Sequence, residues 1–137
     1  MRNARKTLIA SMIVAALILG ACGGSTATDS QLELTSVDEI AEIVASPPAD
    51  LVVLDIRTPE EFAAGHLAGA INVDYYASDF ESQLRELDLT APYVMYCNSG
   101  NRSANALPLM DSIGFDEVYE LDGGIQAWFS AGNPIEE

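Results

Sequence analysis

Residues 93–103 read Tyr93-Val94-Met95-Tyr96-Cys97-Asn98-Ser99-Gly100-Asn101-Arg102-Ser103, a run of apolar residues followed by a cysteine and a polar turn. Its first four residues are typical of a buried strand, and the glycine-containing turn after them leads into a helix predicted over Ser103–Ser112. The thiol of Cys97 is therefore expected between the carboxyl end of a strand and the amino end of a helix. Backbone N–H groups, the helix dipole and the Arg102 guanidinium would lower the pKa of Cys97, and the thiolate is the nucleophilic form. We predict that Cys97 is a catalytic nucleophile rather than a buried structural cysteine.

The same alternation of apolar runs and helical patterns continues on both sides of this stretch. Ser36 and Glu39 predict a capping box at the start of a helix, and Pro59 stands where the first turn of another helix tolerates proline. Pro108 lies too deep in the helix after Cys97 for that, so it is expected to kink or shorten the helix. The predicted strands are Leu32–Leu34, Leu51–Leu54, Ala70–Val73, Tyr93–Tyr96 and Val118–Leu121. This order predicts an α/β fold with a mainly parallel central sheet flanked by helices, in which ligands bind beyond the carboxyl ends of the strands.

The amino-terminal residues differ from the rest of the chain. Three basic side chains precede an uncharged apolar stretch that is short for a membrane span, and Leu19-Gly20-Ala21-Cys22 follows it. This pattern predicts a secretory signal over residues 1–21. The small residues before Cys22 resemble a bacterial lipobox, which implies cleavage before Cys22 and lipid on that residue; the alternative is an uncleaved anchor. Either interpretation predicts an extracytoplasmic protein held at a bacterial membrane, in the periplasm or at the cell surface.

The remaining residues divide into a tether and one domain. Residues 22–30 are small and polar, which predicts a flexible tether, and residues 31–137 suffice for one folded domain. Loss of residues 1–21 would leave three basic against twenty-one acidic side chains, a formal net charge of −18. Such a surface repels nucleic acid and anionic headgroups, so we predict no nucleic-acid partner and attribute membrane attachment to the lipid on Cys22.

The chain contains two cysteines. If Cys22 carries lipid, Cys97 has no partner for an internal disulfide and no resolving cysteine, which argues against a dithiol oxidoreductase. Cys97 is then expected to be an exposed thiol that is open to oxidation. With one histidine and one available thiol, the sequence predicts neither a metal site nor a cofactor.

Four segments of the sequence resemble the rhodanese (thiosulfate sulfurtransferase) family, in the order that the family shows. They are Leu54-Asp55-Ile56-Arg57-Thr58-Pro59-Glu60-Glu61-Phe62, Gly65-His66-Leu67-Ala68-Gly69-Ala70-Ile71-Asn72-Val73, the Cys97 loop, and Gly114-Phe115 with Leu121-Asp122-Gly123-Gly124-Ile125-Gln126-Ala127-Trp128. The resemblance runs from about residue 32 to residue 133. It implies one rhodanese-like domain in which Cys97 carries sulfur as a persulfide.

The resemblance also implies a reaction and a set of site residues. A small sulfur-containing anion such as thiosulfate would donate its outer sulfur to Cys97, and cyanide, a thiol or a thioredoxin-like protein would accept it. Arg102 either orients the sulfonate group of the donor or forms a structural ion pair with Asp55. Asp55 and Arg57 either brace the loop or form a local salt bridge. Loop N–H groups would stabilise the thiolate and the persulfide, and the loop residues are Asn98, Ser99, Gly100, Asn101, Arg102 and Ser103.

The residues leave two other functions open. A cysteine phosphatase uses a related loop, but rhodanese-like phosphatases carry one more residue between the cysteine and the arginine. The six-residue loop from Cys97 to Arg102 therefore suits a sulfur atom better than a phosphate. A membrane-tethered sulfur carrier or binding module that acts on a partner protein would also retain the cysteine. His66 is interpreted as a structural residue of its turn rather than as a base for Cys97.

Overall fold

The structure is a computed structural model that describes residues 30–137. The predicted secretory signal, Cys22 and the predicted tether as far as residue 29 lie outside the described residues. The strands of the described residues are β1 (Gln31–Thr35), β2 (Val52–Asp55), β3 (Ile71–Asn72), β4 (Pro92–Tyr96) and β5 (Glu117–Leu121). They are parallel and form one sheet in the order β1-β5-β4-β2-β3. The predicted α/β fold with a parallel central sheet is therefore confirmed.

Helices cover both faces of this sheet. Ile40 and Trp128 are buried against one face, whereas Leu84 and Met110 are buried against the other. In chain order the helices of residues 30–137 are α1 (Val37–Ala45), α2 (Pro59–Ala63), α3 (Phe80–Arg85), α4 (Asn101–Ile113) and α5 (Gly124–Ser130). Thus α1 and α5 cover the first face, α3 and α4 cover the second, and α2 has no buried residue. Within residues 30–137, none of them combines the length and the apolar character needed to cross a bilayer.

Local sequence signals account for several helix boundaries. The predicted capping box is confirmed, since Ser36 and Glu39 cap each other at the start of α1. Of the two effects predicted for Pro108, a shortened helix after Cys97 is wrong, because α4 continues beyond it to Ile113. A proline in a helix removes the hydrogen bond to the carbonyl four residues earlier. Here that carbonyl belongs to Ala104, which is exposed, so water can donate the missing hydrogen bond and the helix continues.

The parallel arrangement brings the carboxyl ends of β2, β4 and β5 to the same edge of the sheet. Asp55 ends β2, Cys97 follows β4, and Asp122 follows β5. Strand pairing aligns Asp55 with Tyr96, the residue before Cys97. Candidate site residues that are distant in sequence therefore meet at this edge.

Candidate active site

Cys97 begins a tight loop between β4 and α4. Gly100 closes the loop at φ 93°, a backbone conformation that residues with side chains rarely adopt. Its N–H group donates a hydrogen bond to Cys97 Sγ at 3.1 Å, and α4 begins at the next residue, Asn101. The side chain of Cys97 therefore points into its own loop, at the amino end of a helix.

The thiol is buried rather than exposed. Cys97 is only 1% exposed, which contradicts the expectation of an exposed thiol and follows from the loop folding back over the end of a central strand. Burial alone would raise the pKa of Cys97, but hydrogen bonds from the Ser103 side chain and from the backbone N–H groups of Ser103, Ser99 and Gly100 outweigh it. The pKa of Cys97 is lowered overall, so the site favours the nucleophilic thiolate while largely excluding bulk water.

Ser103 connects Cys97 to a buried carboxylate. Ser103 Oγ lies 3.5 Å from Cys97 Sγ and 2.8 Å from Glu120 Oε1, so its single hydrogen can be donated to either group. Burial and, more weakly, the charge of Asp122 raise the pKa of Glu120, although the hydrogen bond from Ser103 opposes them. Sequence reasoning placed Ser103 in the loop but missed Glu120. The available signal was the two-residue period of β5, which puts Glu120 on the same inward face as Val118.

The first turn of α5 holds the Cys97 loop in place. The backbone N–H groups of Ile125 and Gln126 donate hydrogen bonds to the carbonyl oxygens of Cys97 and Asn98, at 2.9 and 3.1 Å. Gly124 permits this contact, because a Cβ atom at that position would lie 2.5 Å from the Cys97 carbonyl oxygen. The glycine pair Gly123-Gly124 is typical of a turn, but the sequence does not indicate which backbone approaches it.

Arg102 forms an ion pair with Glu61 instead of Asp55. Its Nη1 and Nη2 groups donate to the two carboxylate oxygens of Glu61 at 2.7 and 2.8 Å. These hydrogen bonds lower the pKa of Glu61 to about 2 and raise the pKa of Arg102. Of the two alternatives given for Arg102, the ion pair with Asp55 is wrong, because Asp55 already binds Arg57 and α2 carries Glu61 to the loop.

Asp55 and Arg57 form a separate, buried ion pair at the end of β2. Arg57 Nη2 donates to Asp55 Oδ2 at 2.7 Å and to the Gly65 carbonyl oxygen at 2.6 Å. The Arg57 guanidinium carbon lies 5.6 Å from the ring centre of Tyr96. Within residues 30–137, no hydrogen bond of these two charged groups reaches residues 97–103. The pair is therefore a local salt bridge, which was one of the two predicted alternatives. It supports the strand that leads into the loop.

Asn98, Ser99 and Gly100 contribute to the loop through their backbones. Ser99 and Asn101 have exposed side chains, and Asn101 Nδ2 donates to Ser99 Oγ at 3.4 Å.

His66 stacks on Phe62 with 3.9 Å between ring centroids, and its Nδ1 lies 3.1 Å from the Phe62 carbonyl oxygen. These contacts fit the structural role predicted for His66.

Comparisons with known proteins agree with this architecture. Residues 36–131 match the family described as the rhodanese-like domain. The thiosulfate sulfurtransferase GlpE of Pseudomonas putida is 44% identical over 78 residues, which cover 56% of this chain and 68% of that protein.

Solved structures extend the comparison to the fold. A rhodanese-related protein from Thermoplasma volcanium has a TM-score of 0.67 and 28% identity, and covers 76% of this chain and 97% of its own. A Rhodopseudomonas palustris protein described as a possible tyrosine phosphatase has a TM-score of 0.62 and 28% identity, and covers 77% of this chain and 85% of its own.

Proposed function

Because this chain belongs to the family of rhodanese-like domains, we propose that it is a sulfurtransferase that carries a sulfane sulfur as a persulfide on Cys97. The observation that carries the proposal is the hydrogen bond from Gly100 N–H to Cys97 Sγ, in a loop that lowers the pKa of the thiol. The relative named thiosulfate sulfurtransferase supports thiosulfate as a donor.

In the first step, the Cys97 thiolate attacks the outer sulfur of thiosulfate. A new S–S bond forms while the S–S bond of thiosulfate breaks, and its electron pair leaves with sulfite. The product is a persulfide anion on Cys97, which carries the same single negative charge as the thiolate. The Gly100 N–H group and the amino end of α4 are placed to stabilise both anions.

In the second step, an acceptor removes the terminal sulfur of the persulfide. Cyanide attacks this sulfur and leaves as thiocyanate, whereas a thiolate leaves as a persulfide. The S–S bond of the Cys97 persulfide breaks, and its electron pair restores the Cys97 thiolate. Candidate acceptors are therefore cyanide, a small thiol and a thioredoxin-like protein.

Sulfur uptake by the purified protein tests this cycle directly. We expect thiosulfate to add the mass of one sulfur atom, and cyanide to remove it again with release of thiocyanate. Cys97→Ser should take up no sulfur, whereas Ser112→Ala, at the far end of α4, should behave like the wild type. A folded wild-type protein that gains no sulfur from thiosulfate or from another sulfane donor would contradict the proposal.

A sulfur carrier that acts on a partner protein is the second candidate. The exposed aromatic rings of Tyr76, which lies over the Arg102 guanidinium, and of Phe129 on α5 favour contact with a protein acceptor. A carrier would take up sulfur in the same assay but would release it only to a protein thiol. Turnover with cyanide alone would favour the enzyme.

The phosphatase alternative has less support. A phosphoryl group is recognised by the planar donor fork of arginine, but both outer nitrogens of Arg102 are engaged by Glu61. Hydrolysis of an aryl phosphate without any sulfur uptake would nevertheless favour this function.

We also propose that the protein reaches the outside of the cytoplasmic membrane as a lipoprotein. Residues 1–21 would be removed and Cys22 would carry the lipid, because small residues precede it after a basic and apolar start. Cys22→Ser should abolish metabolic labelling by a fatty acid and release the protein from the membrane fraction. Labelling that survives this substitution would contradict the assignment.

A further inference from the structure

Glu120 is a buried carboxylate that sulfur transfer, as described above, does not use. It is only 3% exposed, and β5 directs it toward α4 rather than toward solvent. Burial of a carboxylate away from water costs free energy unless a hydrogen bond or a proton compensates. The side chain that compensates Glu120 is Ser103, whose hydroxyl also faces the Cys97 sulfur.

The hydroxyl of Ser103 carries one hydrogen and lies near three acceptors. The distances from Ser103 Oγ are 2.8 Å to Glu120 Oε1, 3.0 Å to the Gly100 carbonyl oxygen and 3.5 Å to Cys97 Sγ. A hydroxyl can donate one hydrogen bond while accepting others. Ser103 can therefore donate to Glu120 while accepting from the Cys97 thiol, or donate to the Cys97 thiolate while accepting from protonated Glu120.

From this geometry we propose that Cys97 and Glu120 share one proton through Ser103, so that Glu120 is the base that receives the thiol proton. In the transfer, the Cys97 S–H bond breaks and its proton passes to Ser103, while the Ser103 hydroxyl proton passes to Glu120. The products are the thiolate, an intact serine hydroxyl and a carboxylic acid. The buried group holds one negative charge before and after the transfer.

Electrostatics favour this sharing. Two anions around one buried hydroxyl repel each other, and such a pair titrates in two separate steps. Asp122, just beyond the end of β5, adds to the negative field at Glu120. Leu34 and Met95 lie opposite Glu120 on the neighbouring strands and bring no charge. Arg102 is a nearby cation, and its charge interacts with Cys97.

The proposal rests on Cys97 being the nucleophile of the proposed function, but its test does not depend on sulfur transfer. The measurement is the rate at which iodoacetamide, a neutral reagent, alkylates Cys97 in the full-length protein as pH is raised. For the wild type we expect the alkylation rate to rise in two steps, separated by at least about one pH unit. The thiolate forms first beside protonated Glu120 and then beside ionised Glu120. Glu120→Gln, which keeps the hydrogen bond but cannot take a proton, should show a single rise.

Two further variants separate proton sharing from a general change of charge or fold. Glu33→Gln removes an equal charge from β1, the strand next to β5, and should keep both rises. Ser103→Ala should lower the rate on the lower plateau by at least about tenfold, as expected for the loss of one hydrogen bond to a charged group. Glu120→Asp retains a titratable carboxyl group and should restore two rises, which keeps the test valid if Glu120→Gln fails to fold. A single rise in the wild type, or two rises in folded Glu120→Gln, would overturn the proposal even if sulfur uptake is intact.

Discussion

Arg57 and Arg102 show how differently two arginine–carboxylate pairs can serve one site. Arg57 and Asp55 have side chains that are 6% and 0% exposed, whereas Arg102 and Glu61 are 14% and 33% exposed. The pair of Arg57 and Asp55 lies at the end of β2, and the pair of Arg102 and Glu61 lies beside the Cys97 loop. We infer that the buried pair maintains the framework and that the outer pair limits the positive charge offered to a donor.

This difference matters because the protein is strongly acidic. The third arginine of residues 30–137, Arg85, is also paired, with Glu81 at 2.8 Å. Every arginine in the part of the chain that the structure describes is therefore bound to a carboxylate. An anionic donor such as thiosulfate would approach a site where the positive charge of Arg102 is already balanced by the Glu61 carboxylate.

The largest effect should follow from breaking the buried pair. Arg57→Gln leaves the Asp55 carboxylate buried without its cation, which costs about 3–5 kcal/mol of unfolding free energy. Urea denaturation measures this loss. Arg85→Gln is the matched control, since its pair is more than half exposed and is worth about 0.3–0.5 kcal/mol. Equal losses in the two variants would show that burial does not distinguish the pairs. The double variant Asp55→Asn with Arg57→Gln should lose less than Arg57→Gln alone, because no unpaired charge remains.

An intermediate effect is expected from releasing Arg102. Glu61→Gln removes the negative charge that pairs with the Arg102 guanidinium beside the loop, so kcat/KM for thiosulfate should rise by about tenfold, the lower end of the effect of one charge-assisted hydrogen bond. Glu60→Gln removes the same charge from α2 without touching Arg102 and should change the rate little. A rate in Glu61→Gln that falls below that of Glu60→Gln would mean that the pair positions the loop instead of restraining Arg102.

The two pairs also differ in how far sequence patterns could predict them. Asp55 and Arg57 are two residues apart at a strand end, so a local salt bridge was an explicit alternative. Arg102 and Glu61 are separated by 41 positions. The local pattern marks Glu61 as the partner of Thr58 in a capping box, but it does not indicate a contact with Arg102. Only the packing of α2 beside the loop decides which carboxylate meets Arg102.

The same distinction applies to the rest of the molecule. The capping box of Ser36 and Glu39, the strands and the position of Cys97 follow from short-range patterns, and each was predicted. Burial of Cys97, the contact of Glu120 with Ser103 and the backbone approach at Gly124 depend on how separate elements meet. Propensity and periodicity describe one element at a time, so they do not identify such contacts.

The smallest effect concerns acid stability and again separates the outer pair from the buried one. The hydrogen bonds from Arg102 lower the pKa of Glu61 from 4.5 to about 2. A carboxyl group whose pKa is lower in the folded protein stabilises the fold at pH values above its pKa in the unfolded chain. This contribution is lost as pH falls from 4.5 toward 2. Because Glu61 is one-third exposed, solvent screening reduces this contribution to about 1 kcal/mol.

Glu61→Gln isolates that contribution, since the other carboxylates remain in both proteins. The difference in unfolding free energy between wild type and variant, measured by urea denaturation, should be constant above pH 5 and shrink toward zero as Glu61 becomes protonated. High salt should reduce the difference as well, because the pair is partly exposed to solvent. A difference that stays constant down to pH 2 would mean that the hydrogen bonds of Glu61 stabilise the fold without its charge, as an amide can still accept from Thr58 and Arg102. In that case the outer pair would resemble a neutral cap of α2 more than an ion pair, and the contrast with Arg57 would be one of chemistry as well as burial.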